Sequence, residues 1–243
     1  MNNYGEDNAW RQVLQAAHTL ADACPGAVFI GGLAVYLHTQ NRALGKLPVS
    51  REQLAEFSHD VDTYISLLDL GALRDMYEVI ANERLHKHQV KVGGIEADIY
   101  VEHNNKLRVP YTELVAWASA YGSMKVAAIG HLQVLKLDAA AGRTGTSKGD
   151  KDTRDLVKMS VLASDEDQDL FEPYLDSRGL ARLKEVGASP SVFTSITRGN
   201  ALHATQLRGL FNAFIDRLRE RTPGDDDQRP ARSKRSRRPK NTR

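Results

Sequence analysis

Cysteine is almost absent. Cys24 is the single one in 243 residues, which excludes an internal disulfide and any cysteine-built metal cluster. Long apolar runs are missing too, since none approaches the roughly 20 residues that a membrane-spanning helix needs. The opening stretch MNNYGEDNAW is polar and acidic, so it has no signal-peptide pattern. Together these absences set the expectation of a cytoplasmic protein with no membrane partner. Two phosphate-binding signatures are absent as well: there is no G-x-G-x-x-G and no P-loop. What remains, 41% apolar and 26% charged residues, is ordinary for a globular chain long enough to bury a core.

Acids are absent from the last fifteen positions, RPARSKRSRRPKNTR, which carry eight Lys and Arg. Taking those eight from the 33 basic residues leaves 25 against 31 acids, so a net charge of +2 hides a body near −6. The tail holds no large apolar residue, which predicts disorder. It suits attraction to RNA, DNA or another acidic surface, and equally a solubilising terminus.

Along the chain, apolar spacing predicts a helix over 8–23, ended by CPG, then a short strand over 27–30, a Gly31-Gly32 turn and a helix from 33. Ser50 with Gln53 has the form of a capping box. HDVDTYIS reads as a strand and LDLGALRDMYEVIANE as a helix. HKHQVKVGGIEADIYVE reads as two strands joined at Gly93-Gly94. PYTELVAWASAYG reads as a helix opened by Pro110 and MKVAAI as a last strand. Helices then follow over 130–142, 150–164, 167–185 and 200–221. The expected architecture is α/β (α+β), a small mixed sheet flanked by helices over 1–128, then a helical unit over 129–222, then the tail over 223–243.

The stretch SHDVDTYIS holds the first chemical signal. Asp60 and Asp62 alternate onto one strand face, where like charges repel unless the face is solvated or a cation lies between them. By itself D-x-D equally suits a solvated strand end. In GIEADIYVE, Asp98 shares a face with Glu96 while Ala97, Ile99 and Val101 take the other. If the two strands are neighbours, three carboxylates converge. Such a set can hold two divalent ions about 4 Å apart for in-line displacement at phosphorus. FIGGLAVYLH adds a strand, Gly31-Gly32 and a helix start, where unpaired N–H groups favour phosphate. Lys136 sits in an apolar helical run, either snorkelling or aimed into a site, with Arg143 seven residues on. Lys148, Lys151, Arg154 and Lys158 make the next segment basic, suited to phosphates or to a solvated helix face. Asp152 and Asp155 are placed to pair with them.

Taken in order, strand-GG-helix, the D-x-D strand, the third strand aspartate and the LKL…R…KD…DL block resemble the minimal nucleotidyltransferase superfamily. The likeness is to its AbiEii-like branch, toxin components of type IV toxin–antitoxin systems, and covers 27–162. The resemblance implies transfer of NMP from an NTP to an acceptor hydroxyl. It implies Asp60, Asp62 and Asp98 as ligands of Mg²⁺ (one ion or two, with Mn²⁺ as substitute), Asp98 also helping to activate the hydroxyl. Gly31, Gly32 and Ser58 would lie at the nucleotide, and Lys136 and Arg143 near its phosphates. Asp155 matches the later acidic motif, with Asp152 as its rival. The implied acceptor is a tRNA 3′ end, with a separately encoded antitoxin protein as partner. AMPylation of a protein, modification of an aminoglycoside-type small molecule, and non-catalytic binding of nucleotide or RNA are the alternatives. One departure stands out: Glu56 occupies the place where the family pattern puts an arginine.

Overall fold

A computed structural model describes residues 4–221; the basic tail over 223–243 lies outside the described residues. Helix α1 (Tyr4–Ala23) leads into β1 (Val28–Ile30) and α2 (Gly31–Asn41), followed by the single turn α3 (Arg51–Leu54) and β2 (Val61–Ile65). Next come α4 (Leu67–Met76), β3 (Ile80–Asn82), β4 (Lys87–Val92) and β5 (Ile95–Val101). Helix α5 (Tyr111–Ala116), β6 (Ser119–Tyr121) and β7 (Met124–Val126) complete the sheet region. The rest is helical: α6 (Ile129–Gly142), α7 (Ser147–Leu162), α8 (Asp165–Phe171), α9 (Ser177–Ala188), α10 (Pro190–Ile196) and α11 (Ala201–Arg221).

The seven strands form one mixed sheet in the order β3-β4-β5-β2-β1-β7-β6. β2 runs parallel to β5, and β1 parallel to β7, while the other neighbours are antiparallel. The α/β architecture expected from the sequence is the one observed. Helix α2 is buried along most of its length, with Leu33, Ala34, Val35 and Leu37 in the core, so it is apolar nearly all round. It packs on β1 and β2 and carries α6 and α7 on its other side. One continuous apolar cluster joins Phe29 and Ile99 of the sheet to Leu33, Leu132, Phe211 and Phe214 of the helices. Ser50 and Gln53 do form the capping box of α3.

Three helix expectations need correction. The run through 83 stops at Met76, because residues 80–82 pair antiparallel with β4. Residues 119–121, expected to continue α5, instead pair with β7. In both cases a sheet partner overrides local propensity. The helix expected over 167–185 breaks into α8 and α9. Pro173 opens a single 3₁₀ turn there, and the Asp176 side chain accepts from Gly179 N to start a new helix.

Two buried histidines make the fold sensitive to acid. His38 accepts or donates at both ring nitrogens, with Nε2 2.8 Å from the Ala127 carbonyl and Nδ1 3.0 Å from the Tyr121 hydroxyl. The neutral tautomer with the proton on Nε2 satisfies both contacts. Neither nitrogen of His131 has a partner among the described residues. Burial holds both imidazoles below the ordinary histidine value, against opposing carbonyl and carboxylate influences. A depressed folded pKa means that the unfolded chain binds the proton more readily. The stabilisation is therefore present above pH ~6.5 and lost as pH falls below it. The melting temperature should drop between pH 7 and pH 5, and His131→Phe should flatten that drop. An equal drop in parent and variant would refute the role of His131.

Candidate active site

Strand register assembles the site. Asp62 of β2 lies opposite Ile30 of β1 on one side and opposite Asp98 of β5 on the other. Gln89 of β4 faces Asp98 from the next strand. Ile30, Asp62, Asp98 and Gln89 thus form a row on one sheet face, while Val61, Ala97 and Ile99 pack into the core from the opposite face. Asp60 lies just before β2 and accepts from the buried Ser58 hydroxyl at 3.0 Å. The row opens into a cavity of about 310 Å³ lined by Gly31, Gly32, Ser58, the three aspartates, Lys136 and Arg143. These eight line one pocket, together with Lys148, Lys151 and Asp152 of the following segment. Asp155 does not; it lies behind Lys136, and Asp152 takes the wall position.

The glycines are required by contact. Gly31 opens α2 with φ +70°, and a Cβ there would sit 2.0 Å from the Asp62 carboxylate. A Cβ on Gly32 would lie 2.5 Å from the Ser58 hydroxyl and 2.8 Å from the Lys151 ammonium. Their absence of side chains brings the N-terminus of an eleven-residue helix, two carboxylates and a lysine into one space. Asp62 has no hydrogen-bond donor among the described residues. Its carboxyl is pushed up to about 7 by burial and then by the negative charges of Asp60 and Asp98, with Lys136 and Lys87 opposing.

A chain of alternating charges backs the pocket. The Lys136 ammonium is 2.9 Å from Asp152 and 2.8 Å from Asp155, and Arg143 reaches Asp152 at 2.9 Å. Burial opposes Lys136's charge, but the two aspartates outweigh it and raise its pKa. Lys158, buried in α7, spans Asp155 at 3.3 Å and Glu56 at 2.8 Å. Arg154 also pairs with Glu56. Burial pushes the Asp155 carboxyl up, yet Lys136 and Lys158 hold it below the usual range. Glu56, the departure from the family pattern, is therefore the acceptor for two cations of α7. Lys106, Lys148 and Lys151 line the pocket with no ion pair among the described residues.

For the divalent ion that the resemblance implies, the donor set fits in one mode. Asp60 and Asp62 offer oxygens beside a buried excess of negative charge, which suits a hard ion sharing its shell with substrate phosphates. Among the described residues, no three His, Cys, Asp or Glu side chains lie close enough to hold an ion between them. Asp98 faces Asp62 but is engaged from β4. Lys87 ion-pairs with its Oδ2, and Gln89 donates to its Oδ1 at 3.1 Å.

Lys87, Gln89 and Tyr100 escaped the sequence reading. Tyr100 follows Asp98 by two residues, so strand alternation places it on the same face. Lys87 and Gln89 follow from the hairpin, since pairing Val92 with Ile95 across Gly93-Gly94 brings Gln89 opposite Asp98.

No family model and no curated protein sequence matches this chain. Among solved structures, it resembles an antigenic nucleotidyltransferase-like protein from Paracoccidioides brasiliensis. The two share 17% identity over 76% of this chain and 92% of that one, with a TM-score of 0.50. Looser likenesses run to JHP933 from Helicobacter pylori, at 16% identity, 91% and 96% coverage and a TM-score of 0.46. Another is Megavirus polyadenylate synthase, at 12% identity, 92% and 51% coverage and a TM-score of 0.42. The fold is nucleotidyltransferase-like. No helix among the described residues is long and apolar enough to cross a membrane.

Proposed function

We propose that this chain is a metal-dependent nucleotidyltransferase that moves NMP from an NTP to an acceptor hydroxyl. One observation carries the reading: around Gly31, the Asp60 and Asp62 carboxylates share one cavity with the α2 N-terminus and the Lys151 ammonium, a pairing suited to a cation and to anions respectively. A metal–triphosphate needs both within a few ångströms.

In this reading, Asp60 and Asp62 would hold Mg²⁺. Bound there, the ion would supply Lewis-acid charge for the triphosphate. Ser58 fixes the Asp60 carboxylate. The first N–H groups of α2 and the unpaired Lys151 bind phosphate oxygens. Lys136 anchors Asp152, which in turn holds Arg143 at the cavity wall. The acceptor oxygen forms a bond to the α-phosphorus, the bond to the bridging oxygen of pyrophosphate breaks, and the hydroxyl proton is released. Catalysis of this kind is mainly positioning and electrostatics.

The acceptor we favour is RNA, a tRNA 3′ end, with the chain acting as the toxin of a two-component system. Lys106 and Lys148 are exposed at the same cavity, with no ion pair among the described residues, which suits a phosphate backbone and disfavours a cationic small molecule. The test is incubation with Mg²⁺, each of four α-labelled NTPs, and total tRNA or cell lysate. Label on RNA is the expected result, and label on protein would redirect the reading to AMPylation. No label on either, with Asp62→Ala indistinguishable from the parent, would sink the enzyme reading. Lys151→Met should raise KM for the nucleotide about tenfold or more, in line with the loss of one charged hydrogen bond.

A further inference from the structure

We propose that Lys87 stands in for a second divalent cation, so that this pocket takes its nucleotide with one metal ion rather than two. The inference rests on the nucleotidyltransferase reading and concerns how the third carboxylate is used. Asp98 lies directly opposite Asp62 across the β2–β5 pairing, the position from which its carboxylate would serve a second ion. Both of its oxygens are already engaged by the neighbouring strand. Lys87 contacts one, and Gln89 donates to the other at 3.1 Å.

The pair is well shielded, with the Lys87 side chain 12% exposed and that of Asp98 15% exposed. Removing one partner of such a pair leaves an uncompensated charge away from water, so the pair resists opening. Backbone geometry also fixes it. The two-residue turn at Gly93-Gly94, both at positive φ, sets the register that places Gln89 opposite Asp98 and Lys87 two residues along the same face. Lys87 is therefore delivered by the hairpin and not by a flexible loop. An ammonium here supplies a permanent positive charge at the acidic row. That leaves Asp60 and Asp62 as the carboxylates for a single ion, in agreement with the absence of any three-ligand group among the described residues.

The test counts ions without measuring turnover. Mn²⁺ is titrated by electron paramagnetic resonance into full-length protein held with an α,β-methylene NTP analogue, after calorimetry has established that the analogue binds. The parent is expected to take one Mn²⁺ per chain, Lys87→Arg one, and Lys87→Met two. Asp98→Asn, which keeps the side-chain shape, is expected to leave the count at one. That arm holds even if Lys87→Met fails to fold. Two ions in the parent, one of them lost in Asp98→Asn, would overturn the role of Lys87 and leave the nucleotidyltransferase reading standing. Failure of the analogue to bind with any Mn²⁺ present would overturn both.

Discussion

Asp62→Asn should lower nucleotidyl transfer about 10³-fold, the scale expected when a group that stabilises transition-state charge is removed. The same variant should unfold at a higher temperature than the parent in the absence of divalent ions. Both effects have one cause. The Asp62 carboxyl is crowded by burial and by Asp60 and Asp98, which push its pKa up to about 7. Asparagine keeps the shape and removes the charge. A folded pKa raised above the unfolded value makes the protonated form the stable one, and that stabilisation is lost as pH rises from ~4 through 7. The stability gain of Asp62→Asn should therefore be small at pH 4 and largest above pH 7. The measurements are labelled-NTP transfer and thermal unfolding with chelator across that range. Transfer within tenfold of the parent would show that Asp62 does not hold the catalytic ion. A stability gain independent of pH would show that its charge is not strained.

Glu56→Arg is the second large effect, and it runs against the family pattern. Restoring the arginine that the pattern places at this position should destabilise the fold by about 3 kcal/mol, the low end for breaking a buried pair because Glu56 is partly exposed. Glu56 accepts from Arg154 and Lys158, and Lys158 is only 2% exposed. An arginine there would set three cations together with Asp155 as their one carboxylate. In thermal unfolding this corresponds to a fall of roughly 6–12 °C for a chain of this size. Glu56→Leu combined with Lys158→Met, which removes charges of both signs, should recover most of the loss. Urea unfolding of the three variants checks this. A Glu56→Arg protein within 1 kcal/mol of the parent would show that the network contributes little. At the cavity, positive charge comes instead from Lys148 and Lys151 of α7.

The hairpin at Gly93-Gly94, the capping box at Ser50 and the strand-glycine-helix step at Gly31 were legible because each depends on a few adjacent residues. Residues 80–82 and 119–121 were not, because they are strands only through their partners β4 and β7. The same division runs through the site. Alternation alone placed Asp60 with Asp62, and Asp98 opposite the core-facing Ala97 and Ile99. Pairing between β2 and β5 is what sets Asp98 against Asp62, and only packing of α6 and α7 on α2 brings Lys136 and Lys151 to the glycines. Sequence likewise left Asp152 and Asp155 as rivals three residues apart. Three residues apart on α7, both face Lys136, but they are separated by about 4.5 Å along the helix axis, and only Asp152 reaches the cavity wall.

The sequence by itself determined the locally encoded elements and the strand faces, through backbone periodicity and the conformational freedom of glycine. It determined which residue types are available for phosphate and cation chemistry. Tertiary structure alone decided which charges neutralise one another. Lys136 is taken up by two aspartates, Glu56 by two cations and Asp98 by Lys87, whereas Asp62 and Lys151 are left to face the cavity. Coulomb interactions act over a few ångströms, and that distance is set by packing between elements far apart in the chain.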